Sequence, residues 1–334
     1  MPAGNGGGLR LALDVQRLLC ALFLVLALGV VQADDDSDDA FQWLKRMGEA
    51  SRSLNYEGTF VYRQGSLLDT LRIVHRVDAQ GERERMVSLN GVAREVVRDA
   101  KGVTCILPDH HSVVVDRSRR NGLLPSAFRT ANAGLDAHYG FTLGGEERVA
   151  GRTARVVNIQ PKDAYRYGYR LWLDEDTALL LKSELLGSDG AVLEQILYTS
   201  IDIGADIPDD LLEPSTLGEG YTWHTSGQDQ SVSDPGESEW DTSWLPAGFS
   251  LRHRERNPLS DQPAPVQHMW FSDGLASFSL YVERLEADKD PFRGHSRVGA
   301  MNAFGTVVDD YQITVVGAVP QDTVDRIGRA VRRK

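Results

Sequence analysis

From Tyr56 to Ile203 apolar and polar side chains alternate with a period of two, interrupted every roughly 8 to 12 residues by turn-forming residues. This rhythm predicts about eleven strands, at Gly58–Tyr62, Leu68–Val77, Glu82–Leu89, Val92–Arg98, Val103–Leu107, Ser112–Val115, Glu146–Val149, Ala154–Gln160, Tyr169–Leu173, Leu179–Leu186 and Val192–Ile203. In the second, Leu71, Ile73 and His75 share one face. Asp78-Ala79-Gln80-Gly81, Asp99-Ala100-Lys101-Gly102 and Gly187-Ser188-Asp189-Gly190 read as turns, and Asn90-Gly91 as a two-residue hairpin. Before the first strand, Phe41, Leu44, Met47 and Leu54 recur at helical spacing and predict an amphipathic helix over residues 40–54. The preceding acidic run Asp34-Asp35-Asp36-Ser37-Asp38-Asp39 reads as solvated and mobile. Residues 117–142, with Leu123, Leu124, Pro125, Phe128, Leu135, Tyr139 and Phe141, read as short helices or an ordered loop. Together with helix 40–54 they would cover the apolar face of the sheet. The predicted architecture is α+β: a strongly curved antiparallel sheet, a half-barrel, with helices on its concave side.

Beyond residue 203 the pattern changes. Pro208, Pro214, Gly218 and Gly220 precede the small, acidic stretch 225–237, which reads as a flexible linker. The expected division is 1–33 as a signal peptide, 34–210 as the half-barrel domain, 211–240 as linker and 241–334 as a second domain. In that second domain strands are predicted at Phe249–Arg256, Val266–Phe271, Leu275–Leu285, Val298–Val308 and Tyr311–Val316, followed by a helix over Pro320–Arg333. The hairpin around Asp273-Gly274 is the clearest element. Ala276, Phe278, Leu280 and Val282 fall on its dry face, and Ser277, Ser279, Tyr281 and Glu283 on its wet one.

With 334 residues, 41% hydrophobic and 25% charged, the chain has ordinary globular composition. Its net charge of −12 argues against nucleic-acid binding, which needs a concentrated basic field. Arg10 and Arg17, the apolar run Leu18–Val31 and the small residues near Ala33 form a secretory signal pattern. That run is short for a membrane span, and an uncleaved anchor is the alternative. Without residues 1–33 the chain keeps only Cys105, so no internal disulfide is expected; the thiol lies in an apolar strand and reads as a small core residue.

No nucleophile elbow, zinc-protease helix, phosphate-binding glycine loop or Cys-x-x-Cys occurs. His110 and His111 are the only adjacent histidines, and neighbours on a strand point to opposite faces, which suits a loop better than a metal. No catalytic residue, metal or cofactor is therefore expected. Two apolar features remain. In Tyr165-Arg166-Tyr167-Gly168-Tyr169-Arg170-Leu171-Trp172, Tyr169 and Leu171 share one strand face, while Arg170 and Trp172 share the other; the stretch is either core or the wall of an apolar cavity. Trp223, Trp240, Trp244 and Trp270 surround the linker, as packing devices or as interface anchors.

Segments along the whole length resemble the MucB/RseB family of envelope-stress regulators. The carriers are Tyr56-Glu57-Gly58-Thr59-Phe60-Val61-Tyr62, Tyr169-Arg170-Leu171-Trp172-Leu173-Asp174, Leu179-Leu180-Leu181-Lys182-Ser183, Trp244-Leu245-Pro246-Ala247-Gly248-Phe249, the hairpin above and Val315-Val316-Gly317-Ala318-Val319-Pro320. The resemblance implies a half-barrel like the lipoprotein carriers LolA and LolB, and a smaller C-terminal domain. It further implies a periplasmic location and a transmembrane anti-sigma factor of the RseA/MucA type as partner, shielded from regulated proteolysis. Release on sensing lipopolysaccharide or lipoprotein acyl chains is part of the same implication, and self-association is left open. A periplasmic acyl-chain carrier is the alternative. Strand parity and the tryptophan positions nominate Phe60, Leu71, Tyr169, Leu171 and Trp172 as ligand-lining residues. They nominate Trp244, Trp270, Ser277, Ser279 and Tyr281 as partner-contacting ones.

Overall fold

The computed structural model describes residues 33–116, 134–216, 219–226, 239–257, 266–286 and 290–334. The expected signal sequence up to residue 32, the covering segment with Leu123, Leu124, Pro125 and Phe128, and linker residues 227–238 lie outside these. No helix among the described residues is long and apolar enough to cross a membrane.

Helix α1 (Ala33–Ser53) starts seven residues earlier than the spacing of apolar side chains suggests. Residues 33–39 thus belong to the helix rather than to a free tail. Eleven strands follow: β1 (Tyr56–Gln64), β2 (Leu67–Asp78), β3 (Gly81–Ser88), β4 (Glu95–Asp99), β5 (Gly102–Leu107), β6 (Ser112–Asp116), β7 (Tyr139–Val149), β8 (Arg152–Pro161), β9 (Gly168–Asp174), β10 (Leu180–Leu186) and β11 (Val192–Ile203). Strand β12 (Thr222–Ser226) lies within the span read as linker. It pairs parallel to β6 and completes a twelve-stranded sheet in the order β12-β6-β5-β4-β3-β2-β1-β11-β10-β9-β8-β7.

Three local expectations are corrected. Asn90-Gly91 is not a two-residue hairpin. It lies in the longer β3–β4 connection, where the Asn90 side chain accepts from the Thr70 amide and donates to the Leu68 carbonyl at 3.0 Å. Tyr139 and Phe141 are not loop residues but the buried start of β7. Residues 205–216, divided between domain and linker in the sequence reading, cross the outer face of the sheet. There Ile207 and Leu212 bury Val74, and Glu95 accepts from the Ser215 amide and hydroxyl.

The apolar stripe of α1 fills the concave face. Ala40, Leu44 and Met47 pack with Leu135, Tyr139, Phe141, Val157, Ile159, Leu171 and Leu173. One turn later Ala50 meets Tyr56, Phe60, Leu71, Ile73 and Tyr198. His75 shares the face of Leu71 and Ile73 as expected. It is fully buried, stacked on Tyr56 at 4.7 Å, with Nδ1 2.9 Å from the Leu54 carbonyl. Cys105 is half-buried, and burial pushes its thiol pKa up.

The second unit is a six-stranded sheet in the order β14-β15-β16-β19-β18-β17, built from β14 (Ser250–Asn257), β15 (Val266–Ser272), β16 (Ser277–Arg284), β17 (Gly294–Val298), β18 (Met301–Val308) and β19 (Tyr311–Gly317). The dry face of the hairpin is as its alternation predicts: Ala276, Phe278, Leu280 and Val282 join one core with Ile313, Val315, Val324 and Ile327. Val324 and Ile327 come from helix α2 (Gln321–Ala330), which ends three residues before the predicted Arg333. The chain then extends as β20 (Val331–Arg333), which pairs with β13 (Trp240–Thr242) and buries Trp240.

Candidate functional site

The two sheets meet at a junction made by two short connections. One is the β8–β9 loop with its aromatic stretch, and the other is the β15–β16 turn. That turn spans Asp273-Gly274-Leu275-Ala276, closed by the Ser272–Ser277 pair, and Gly274 supplies a positive φ of 110°. It is longer than the two-residue turn expected, so Leu275 is not the first residue of a strand. Leu275 leaves its own sheet and is buried in the core of the first one, beside Tyr139 and Leu171. Full burial of a leucine contributes about 2–3 kcal/mol.

Beside this apolar plug lies a buried ion pair. Arg166 Nη1 donates to Asp273 Oδ2 at 2.5 Å, and neither side chain is exposed. Both side chains make further hydrogen bonds. Arg166 also donates to both Asp163 oxygens, at 3.0 and 2.8 Å, and to the Ala247 carbonyl at 2.6 Å. Asp273 accepts from the Tyr139 hydroxyl at 2.9 Å, and through Oδ1 from the amides of Leu275 and Ala276 at 2.9 and 2.8 Å. The guanidinium lies between the rings of Tyr139 and Phe249, 5.4 and 5.1 Å away. Burial, with the Asp273 carboxylate beside it, raises the Tyr139 pKa far above the phenol range, so its hydroxyl stays a donor.

Further contacts tie the β8–β9 loop to β18 and α2. Tyr167 accepts from Asn302 Nδ2 at 2.9 Å, the Tyr165 carbonyl accepts from the Thr323 hydroxyl at 3.1 Å, and the Tyr165 hydroxyl accepts from Arg326 at 2.6 Å. Trp244 packs edge-on against Tyr165, with Arg326 4.0 Å over its ring. With Asp322, Asp325, Arg326, Arg329 and Ala330 it lines a shallow open depression on α2. At Gly248, where φ is +87°, a Cβ would stand 2.3 Å from His138 Nε2, so the second unit's backbone lies directly on the first.

The residues nominated from sequence separate into distinct places. Phe60 and Leu71 pack together under the end of α1, while Leu171, with Tyr169 at its edge, belongs to the neighbouring core. Trp172 does not join them. It points to the other face of the sheet, packs with Val149, Val156 and Leu181, and donates its indole N–H to Glu147 at 2.8 Å. A period of two forbids it and Leu171 from lining one cavity wall. Trp270, Ser277, Ser279 and Tyr281 stand together on the half-buried outer face of the second sheet. His268 links them, 2.9 Å from Ser279 Oγ, stacked 4.5 Å from Tyr281, and 3.0 Å from Glu255. Trp244 is apart from this face, on the helix side at the junction. Arg166, Asp273, Leu275, Asn302 and Tyr139, which build the junction, escaped the sequence reading. Charge within the aromatic stretch and the Asp-Gly turn were the only traces of the first two.

Among the described residues no group of His, Cys, Asp and Glu is arranged to hold a metal ion. A half-barrel whose concave face is filled, among the described residues, by helix α1, joined through a polar-cored seam to a small sheet with a serine-rich outer face, defines a two-part binding protein. The chain belongs to the MucB/RseB family: its N-terminal domain model matches residues 39–216 and its C-terminal domain model residues 234–332. Among similar proteins are the sigma factor AlgU regulatory protein MucB of Pseudomonas aeruginosa, 34% identical over 94% of this chain and 96% of that one, and the sigma-E factor regulatory protein RseB of Salmonella typhimurium, 30% identical over 95% and 98%. Among solved structures, the MucA/MucB complex of Pseudomonas aeruginosa matches with a TM-score of 0.70 at 33% identity, covering 89% of this chain and 99% of that one. MucB in complex with MucA(peri) matches with 0.68 at 32% identity over 90% and 99%, and MucB alone with 0.61 at 32% over 89% and 99%.

Proposed function

We propose that this chain is a periplasmic negative regulator of an envelope-stress response of the sigma-E/AlgU type. It binds the periplasmic part of a transmembrane anti-sigma factor and shields it from the protease that would cut it. The observation that carries this reading is similarity along nearly the whole chain to MucB, which is known in complex with MucA. In this reading an extended segment of the partner lies across the junction and the outer face carrying Trp270, Ser277, Ser279 and Tyr281, where small side chains let a second backbone approach. No step of it is catalytic.

Release follows if a lipid or acyl chain binds the concave face near Phe60, Leu71, Tyr169 and Leu171 more tightly in a different arrangement of the sheets. Without that difference in affinity lipid would release nothing. The test is capture of the cognate anti-sigma periplasmic segment by the purified chain, followed by digestion with the regulatory protease. Binding together with slowed cleavage is the expected result. A segment that neither binds nor is protected removes the proposal.

A further inference from the structure

Because neighbouring strands run antiparallel, the connections β1–β2, β3–β4 and β5–β6 end on one rim of the large sheet. That rim carries an unusual surface. Leu67 and Leu68 on the first connection are 60% and 56% exposed, and Leu89 and Val92 on the second are 54% and 61% exposed. Next to them the β17–β18 turn, whose Gly299 lies against the Gln64 side chain, exposes Val298 (59%) and Met301 (36%). The opposite rim, with the turns after Asp78, Asp99 and Asp174, has no exposed large apolar side chain among its described residues. It carries Asp78, Asp99, Glu175, Asp176, Asp209 and Asp210 instead.

The apolar tips are held outward. Asn90 bridges the first two connections through the Thr70 amide and the Leu68 carbonyl, and the Leu89 amide donates to the Thr70 carbonyl at 2.7 Å. The Ala93 amide donates to Asp109 at 3.2 Å and ties in the third connection, which presents His110 and His111 to solvent. Tyr221 lies 5.4 Å from His111, and half-exposed Trp223 follows on the edge strand β12. Fixed, projecting aliphatic tips with aromatic rings just behind them present a common front rather than a groove, the arrangement that suits the boundary between headgroups and acyl chains.

We infer that this rim docks on a phospholipid membrane surface, with Leu67, Leu68, Leu89 and Val92 entering the interface. Insertion of these tips turns away the opposite rim, which offers charged side chains and no exposed large apolar one among its described residues. This docking needs no anti-sigma factor, so it stands or falls separately from the function proposed above.

The test is flotation of Ala33–Lys334, which holds every element described, with vesicles of phosphatidylethanolamine and phosphatidylglycerol and no partner present. The chain should float with the vesicles. The pairs Leu67→Asp/Leu68→Asp and Leu89→Asp/Val92→Asp should each lower the bound fraction about fivefold or more, since a charge replaces inserted apolar surface. Ala79→Asp/Gln80→Asp, which adds the same charge to the opposite rim, should leave it unchanged. These positions are exposed, and circular dichroism verifies that each variant folds. Wild type that stays with the protein fraction, or rim pairs that float as well as wild type, overturns the inference. So do rim pairs that abolish self-association in lipid-free solution without altering flotation, because the rim would then join copies of the chain.

Discussion

Replacing Asp273 by Asn keeps the shape of the buried turn and removes the charge that Arg166 faces. Removing one member of a buried ion pair costs about 3–5 kcal/mol. Arg166 retains Asp163 and the Ala247 carbonyl, so its charge is not left alone, and the lower end applies. The Asn oxygen is needed by the Leu275 and Ala276 amides, which turns the new NH₂ group toward the Arg166 N–H and the Tyr139 hydroxyl. A donor facing a donor adds to the loss. A weakening of the seam by about 3 kcal/mol shifts the closed-to-open balance of the two sheets about a hundredfold. Guanidinium unfolding followed by tryptophan fluorescence should show the wild-type transition moved to lower denaturant or split into two, as the second sheet separates first. The double variant Arg166→Met/Asp273→Leu should not recover the loss, since it leaves the buried Leu275 and Ala276 amides and the Ala247 carbonyl without their partners. A change below about 0.5 kcal/mol in Asp273→Asn, or the same coupling energy in a cycle with Arg166→Met, refutes the claim that this pair holds the junction.

Three other outcomes are expected. Gly248→Ala combines a disfavoured positive φ with a Cβ placed on His138, and should cost about 2–3 kcal/mol in thermal or denaturant unfolding, whereas Gly65→Ala, with a φ of +58° but in open space, should cost about 1 kcal/mol. Ser279→Arg breaks the contact with His268 and crowds the outer face; it should weaken capture of the anti-sigma segment at least tenfold while the near-ultraviolet circular dichroism of the sheet is kept, and unchanged capture would mean that this face meets only solvent. Burial by itself would raise the Asp174 pKa, but hydrogen bonds from Arg152 and Thr177 outweigh it and hold the carboxyl below its ordinary value of 3.8. Its stabilisation is therefore complete above that value and is lost as pH falls through the lower folded-state pKa, so Asp174→Asn should be less stable than wild type at neutral pH and the gap should close in acid melts.

How far the chain could be read from its own pattern differs from element to element. The strands of both sheets were legible because each lays a row of side chains into a core, so Leu71 and Ile73, or Phe278 and Leu280, recur every second residue. The turns between them declare themselves through glycine and aspartate. The extension of α1 was hidden by seven residues of which only Ala33 is apolar, and β12 by a segment as polar as a linker. Its strand exists only because β6 presents a free edge for Thr222–Ser226. The start of β7 was missed because Tyr139 and Phe141 are too few to establish a period before the Gly144-Gly145 bulge.

The functional seam shows the same division more sharply. Local sequence determines the hairpin, its dry face and the aromatic β8–β9 loop, since these follow from side-chain periodicity and turn chemistry within a few residues. That Arg166 meets Asp273, 107 positions away, that Leu275 leaves its own sheet to complete the core of the other, and that Trp172 and Leu171 part company across a sheet are decided in the tertiary structure. A buried charge or an inserted leucine carries no local mark of its partner, because its stability comes from desolvated groups that only the folded chain brings within reach of each other.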